Sequence, residues 1–93
     1  MENTYSFNGM HIRSDMMEAI RRYVDGHVQP GDFLTAVICN DLTAAIQRAD
    51  DENIQNLPAF VAYFYNKAPA VCWGSRETMQ EWLKPRQVEV GND

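Results

Sequence analysis

Apolar residues recur at intervals of three and four along most of this chain, and no other feature constrains its fold so strongly. This spacing places side chains on one face of an α-helix. In the first such stretch the repeating residues are Met16, Met17, Ile20, Tyr23 and Val24. Ser14 precedes them as the expected N-cap, Asp15 suits the positive end of the helix dipole, and Gly26 is expected to end the helix. The pattern predicts an amphipathic helix between residues 14 and 26.

A second stripe predicts a longer helix that begins after an N-cap at Asp32. Its buried face is predicted to consist of Leu34, Ile38, Leu42, Ala45 and Ala49. Asn40 and Asp41, two poor helix formers, interrupt it. At 100° per residue Asp41 falls at the edge of the apolar face, where a carboxylate requires a hydrogen-bond or charge partner. We therefore expect a polar contact between helices at Asp41 and a deeply buried Leu42. The candidate partners of the carboxylate are Arg21, Arg22 and Arg48.

A third helix is predicted to begin at three consecutive acids, because negative charge stabilises a helix N-terminus. Its inner face is predicted to contain Ile54, Leu57, Pro58, Val61, Phe64 and Tyr65. An interior proline loses a backbone hydrogen bond, so Pro58 must kink this helix or restart it. Ser75 is the expected cap of a short fourth helix, which Pro85 ends. The inward residues of this helix are predicted to be Met79, Trp82 and Leu83.

These segments predict one small all-α domain over residues 1–93, a bundle of three main helices plus a short fourth. The length is typical of a single domain, and 45% hydrophobic residues are enough for a modest core. The helical core is expected at about residues 12–84, with extended arms at 1–11 and 86–93. Tyr5 and Phe7 alternate before an Asn8-Gly9 turn pair, and Val88 and Val90 alternate in the tail. Pairing of the two arms as a ribbon stays open.

The net charge of the chain limits which classes of molecule it can be expected to bind. Thirteen acids against eight bases give a net charge of −5, which opposes binding to nucleic acid or to an anionic membrane and favours basic protein surfaces. No run approaches the ~20 apolar residues of a membrane span, and the first residues do not resemble a secretory signal. We therefore expect a protein of the bacterial cytoplasm, with Cys39 and Cys72 as free thiols.

No catalytic, metal or cofactor site is predicted, and the chain is not expected to be an enzyme. His11, His27, Cys39 and Cys72 are scattered and lack CxxC or HxxxH spacing. A Cys39–His27 pair across the first two helices lacks any local motif that would support nucleophilic catalysis.

Six residues are the candidate contacts to a partner protein: Asp50, Asp51, Glu52, Phe60, Tyr63 and Trp73. The acids would face a basic surface, and amphipathic aromatics dominate interface energetics. The three acids and Trp73 also have a structural interpretation, the acids as a solvated helix start and Trp73 as a core residue.

Several segments in order resemble a group of short proteins encoded by bacteriophages and integrated elements. They are DMMEAIRRY at 15–23, PGDFLTAV at 30–37, NDL at 40–42, RADDEN at 48–53, NKAP at 66–69 and CWGS at 72–75. The resemblance covers roughly residues 12–83, and Pro58 departs from it. Small acidic proteins from such loci include anti-CRISPR and other counter-defence inhibitors. The resemblance therefore implies an interaction protein and transfers no functional residue.

The predicted function is a mobile-element protein that binds a host protein or ribonucleoprotein complex, a CRISPR effector among the candidates, and inhibits or modulates it by steric and electrostatic occlusion. Two alternatives stay open: a DNA-associated accessory or transcription factor, and a self-associating phage structural protein, with a homodimer as one form. The second predicted helix lacks the early Arg or Lys of a DNA-reading helix. The partner, the binding face and the oligomeric state are not determined by the sequence.

Overall fold

The computed structural model describes residues 5–84, which form a mainly α-helical domain with one small β-hairpin. The elements are β1 (Tyr5–Phe7), β2 (Met10–Ile12), α1 (Ser14–Gly26), α2 (Asp32–Ile38), α3 (Leu42–Arg48), α4 (Asp51–Gln55), α5 (Leu57–Asn66), a 3₁₀ helix (Ala70–Cys72) and α6 (Arg76–Leu83). The predicted predominance of helix is confirmed. The predicted C-terminal arm at 86–93 lies outside the described residues.

Residues 5–12 form a hairpin where an extended arm was predicted. β1 and β2 are antiparallel, with Tyr5 opposite Ile12 and Phe7 opposite Met10. The φ angles of the turn residues, 51° at Asn8 and 82° at the following glycine, are both positive, as a two-residue type I′ hairpin turn requires. Both strands pack on α5, and Ile12 is fully buried. The hairpin is therefore part of the core.

The first helix has the predicted face but different ends. Its apolar stripe is buried at Met17, Ile20 and Tyr23. Ser14 is the first helical residue and does not cap the helix, since no side chain caps it. The helix extends through Gly26, and the next residue, His27, adopts the left-handed conformation that closes it.

The predicted long second helix is two helices, and the prediction of a continuous one is wrong. α2 ends at Ile38, Asn40 takes a positive φ of 62°, and α3 begins at Leu42. Asp41 caps α3, because its carboxylate accepts the backbone N–H of Ala44 at 3.1 Å. Asparagine tolerates the left-handed region and aspartate is a strong N-cap. Asn40 and Asp41, which are unfavourable inside a helix, are therefore well suited to the boundary between α2 and α3.

This break changes the orientation of the residues that follow it. Leu42 is 62% exposed, so its predicted burial is wrong. The carboxylate of Asp41 bonds to the start of its own helix, and this cap takes the place of the expected pairing with Arg21, Arg22 or Arg48.

We expect Asp41→Ala to lower the free energy of unfolding by about 0.5–2 kcal/mol, the usual cost of losing a side-chain N-cap. Asp41→Asn should retain nearly all of the wild-type stability, because asparagine caps helices as well as aspartate does. Urea denaturation followed by circular dichroism measures both variants. Equal losses in both would show that the negative charge matters and the cap does not.

Pro58 restarts the helix at the predicted place. α4 ends before Asn56, and the proline occupies the first turn of α5, where its missing N–H has no helical partner to lose. The predicted inner face is only partly correct: Phe64 is buried, whereas Val61 is 41% and Tyr65 78% exposed. The α5 residues that enter the core are Ala59, Phe60, Ala62 and Phe64.

The last helix follows its prediction closely. Ser75 caps α6 by accepting the Thr78 N–H at 3.1 Å, and Met79 is buried. The predicted end at Pro85 lies beyond the described part of the chain. Trp82 donates its indole N–H to the Tyr23 carbonyl at 3.0 Å, which ties α6 to α1. None of the helices between residues 5 and 84 is long and apolar enough to cross a bilayer.

Candidate protein-interaction site

An uncharged apolar surface runs across α3, α5 and β1. It forms a groove of about 650 Å³, here called the apolar groove. Its lining residues are Phe7, Leu42, Leu57, Pro58, Val61, Ala62, Tyr65 and Asn66. Tyr65 and Leu42 protrude most, with 78% and 62% of their surface exposed. Contiguous exposed apolar surface of this kind marks interaction sites in soluble proteins.

The sequence of α5 explains why this surface exists. The helix, LPAFVAYFYN, contains no charged residue and is apolar on nearly all sides. Such a helix is normally buried throughout. Here the core and the hairpin cover one side, and the side that carries Val61 and Tyr65 remains open. On α3, Leu42 and Ile46 lie one turn apart and extend the open surface, with Ile46 49% exposed.

The predicted acidic contact run is largely engaged within the protein. Asp50 caps α4 by accepting the Asn53 N–H at 2.8 Å. This hydrogen bond is the main reason why the pKa of Asp50 lies below its ordinary value, and the nearby Arg13 lowers it further. Arg13 contacts Asp50 at 3.3 Å and Glu52 at 3.2 Å. It also contacts Asp15 at 2.8 Å, and that hydrogen bond lowers the pKa of Asp15. Asp51 is exposed and has no ion pair among residues 5–84.

The three predicted aromatic contacts have separate environments. Phe60 is fully buried and meets Phe33 edge to face at 5.0 Å, so it cannot touch a partner in the folded protein. Tyr63 is half-buried against Tyr5, and Trp73 is half-buried against Phe64. None of the three lines the apolar groove. The groove itself was not predicted, although the absence of charge from α5 was a usable signal in the sequence.

The thiols and His27 contribute to packing, whereas His11 is exposed and contacts Glu52 at 3.3 Å. Cys39 and Cys72 are both free, as predicted. Burial raises the pKa of Cys72 to about 11 and also raises that of Cys39, so both thiols are protonated at neutral pH. His27 bonds to the backbone carbonyl of Trp82 and stacks on its ring. Within residues 5–84 no three His, Cys, Asp or Glu side chains converge as a metal site would require.

The chain matches no known protein family, no curated protein and no solved structure.

Proposed function

We propose that this chain is a protein-interaction module and that the apolar groove is its binding surface. The observation that carries the proposal is the continuity of the groove: eight lining residues on three elements, none of them charged. Tyr65 and Leu42 line the same groove with 78% and 62% of their surface exposed. Burying them against a partner releases about 25 cal/mol for each Å² of apolar surface.

In this proposed interface the apolar groove forms the buried centre, and the exposed acids lie at its solvent-accessible edge. Tyrosine is enriched at the residues that dominate binding energy, and Tyr65 stands in the groove with its ring accessible. Exposed acids such as Asp51 accelerate association with a basic surface more than they increase its affinity. The groove therefore supplies affinity in this proposal, and the net charge of −5 favours basic partners.

We propose that the target is a host protein or ribonucleoprotein complex, with a CRISPR effector as one candidate. Binding of this chain would inhibit or modulate that complex by occlusion. The support for this proposal is the resemblance to phage-encoded proteins and the acidic charge. The alternative of a DNA reader has less support, because its recognition helix would have to be a segment that is two helices of seven residues.

The test is quantitative capture from a bacterial lysate with Leu42→Asp and Val71→Asp as a matched pair. Leu42 lies in the groove and Val71 lies in the 3₁₀ helix outside it, and the two are 62% and 65% exposed. A carboxylate buried at an apolar interface is costly, so Leu42→Asp should abolish specific capture while Val71→Asp retains it. Mass spectrometry of the captured proteins measures the effect. Equal capture by both variants would remove the groove from the proposal.

A second candidate function, self-association, is favoured by the strand that borders the groove.

A further inference from the structure

Within residues 5–84, the hairpin has one edge to which another segment hydrogen-bonds and one edge, here called the open edge, to which no segment does. Its two-residue turn makes Phe7–Met10 and Tyr5–Ile12 the hydrogen-bonded pairs, so the backbone groups of Ser6 and His11 point outward. On the β2 side, the His11 N–H donates to the side-chain oxygen of Asn56 at 2.9 Å. On the β1 side, the N–H and C=O of Ser6 have no partner among residues 5–84.

The open edge adjoins the apolar groove. Phe7, in β1, contributes to the groove lining, whereas the outer edge of β2 lies toward Asn56 and Glu52. A strand added beside β1 would therefore lie next to the groove. Unpaired strand edges are templates for pairing with another chain.

We propose that a second copy of this chain occupies the site, a conclusion that rests on the proposed function of the groove. The two β1 strands pair antiparallel about a two-fold axis, with the N–H and C=O of Ser6 bonded to those of Ser6 in the other copy. The axis stands perpendicular to the joined sheet, so both helical layers lie beneath a four-stranded sheet. The two grooves then face each other and cover their apolar side chains mutually, as an isologous interface requires.

Charge favours this face over any other for an acidic chain. Two copies of net charge −5 repel each other, and the cost is least where neither presents charge. Residues 5–12 contain no Asp, Glu, Lys or Arg, and neither does the groove lining. Like charges are therefore kept away from the contact.

The available area fits a weak dimer. Four large apolar side chains of the open face, Leu42, Ile46, Val61 and Tyr65, are 41–78% exposed. Side chains of this size carry roughly 100–200 Å² each, so with the strand edge the face amounts to several hundred Å² per copy. A standard specific interface buries about 800 Å² per partner. We expect a dissociation constant on the order of 100 µM, weaker than that of a standard interface.

The experiment is sedimentation velocity on the full chain between about 10 µM and 1 mM, a range that spans weak association. Two variants disrupt the two halves of the contact. Leu42→Asp introduces charge into the groove, and Ser6→Pro removes an outward N–H without removing a hairpin hydrogen bond. Val71→Asp and Ser6→Thr are the matched controls, and far-UV circular dichroism checks that each variant folds.

The wild type and both controls should dimerise with concentration, and both disruptive variants should raise the dissociation constant at least tenfold. Raising salt from about 0.05 to 0.5 M should leave the dimer unchanged or tighten it, because only repulsion is screened. A wild-type monomer at the highest concentration overturns the inference, as does persistence of the dimer in either disruptive variant. A monomer whose lysate capture still depends on Leu42 refutes the dimer alone. A monomer whose capture ignores Leu42 refutes the proposed function too.

Discussion

Phe60→Ala should lower the free energy of unfolding by about 3–5 kcal/mol, the largest effect we expect from a single substitution in this chain. Phe60 has no exposed surface, and its ring packs edge to face on Phe33 at 5.0 Å. Removing the ring forfeits its transfer free energy and leaves a cavity that the surrounding helices cannot fully close. Because small domains are stable by only about 5–15 kcal/mol, this loss is a large fraction of the total stability. Urea denaturation monitored by circular dichroism measures the loss.

Leu42→Ala is the matched control for Phe60→Ala. Its side chain is 62% exposed, so truncation should leave the stability within about 0.5 kcal/mol of wild type, as for most surface substitutions. The sequence pattern alone would have predicted about 2–5 kcal/mol for this residue. A large loss at Leu42, or a small one at Phe60, would show that the second and third helical segments pack on other faces.

Tyr23→Phe should cost about 1–3 kcal/mol, because it leaves a buried backbone carbonyl without its donor. The Tyr23 hydroxyl is fully buried and donates to the Cys72 carbonyl at 2.6 Å. Burial raises the pKa of Tyr23, so the hydroxyl stays protonated and able to donate throughout the neutral range. This bond joins α1 to the 3₁₀ helix, 49 residues further along the chain. Thermal and urea unfolding measure the cost.

Tyr65→Phe removes the same hydroxyl from a side chain that is 78% exposed, and it should leave stability unchanged. The pair therefore separates the buried hydrogen bond from any general effect of losing a tyrosine hydroxyl. Similar stability of Tyr23→Phe and Tyr65→Phe would contradict the importance of the bond to Cys72.

The ion pairs of Arg13 determine which charge variants are informative about partner binding. Reversing Asp50 would remove the cap of α4 as well as a surface charge, and reversing Glu52 would disrupt its contact with Arg13. Asp51→Lys reverses a surface charge while the α4 cap and the Arg13–Glu52 contact stay in place. It is therefore the variant that separates steering by acids from binding by the apolar groove.

Local features of the sequence were sufficient for much of the helical structure. The buried face of α1, the cap at Ser75 and the restart of the helix at Pro58 each depend on residues within a few positions of one another. Periodicity, capping and the missing proline N–H act over that same range, so no knowledge of distant packing was required.

Tertiary structure decided which apolar residues became core and which became surface. Asn40 and Asp41 break the second helical segment, and the change of direction exposes Leu42 while the periodicity continues on both sides of the break. On α5 every face is apolar, so periodicity could not choose between Phe60 and Tyr65; the hairpin and α2 cover one of them and leave the other in solvent. The same holds for the acids, whose pairing with Arg13 joins residues 37 and 39 positions apart. A sequence pattern gives the spacing of apolar and charged residues along the chain but not which of them are in contact. The candidate site, which depends on those contacts, could therefore be identified only from the folded structure.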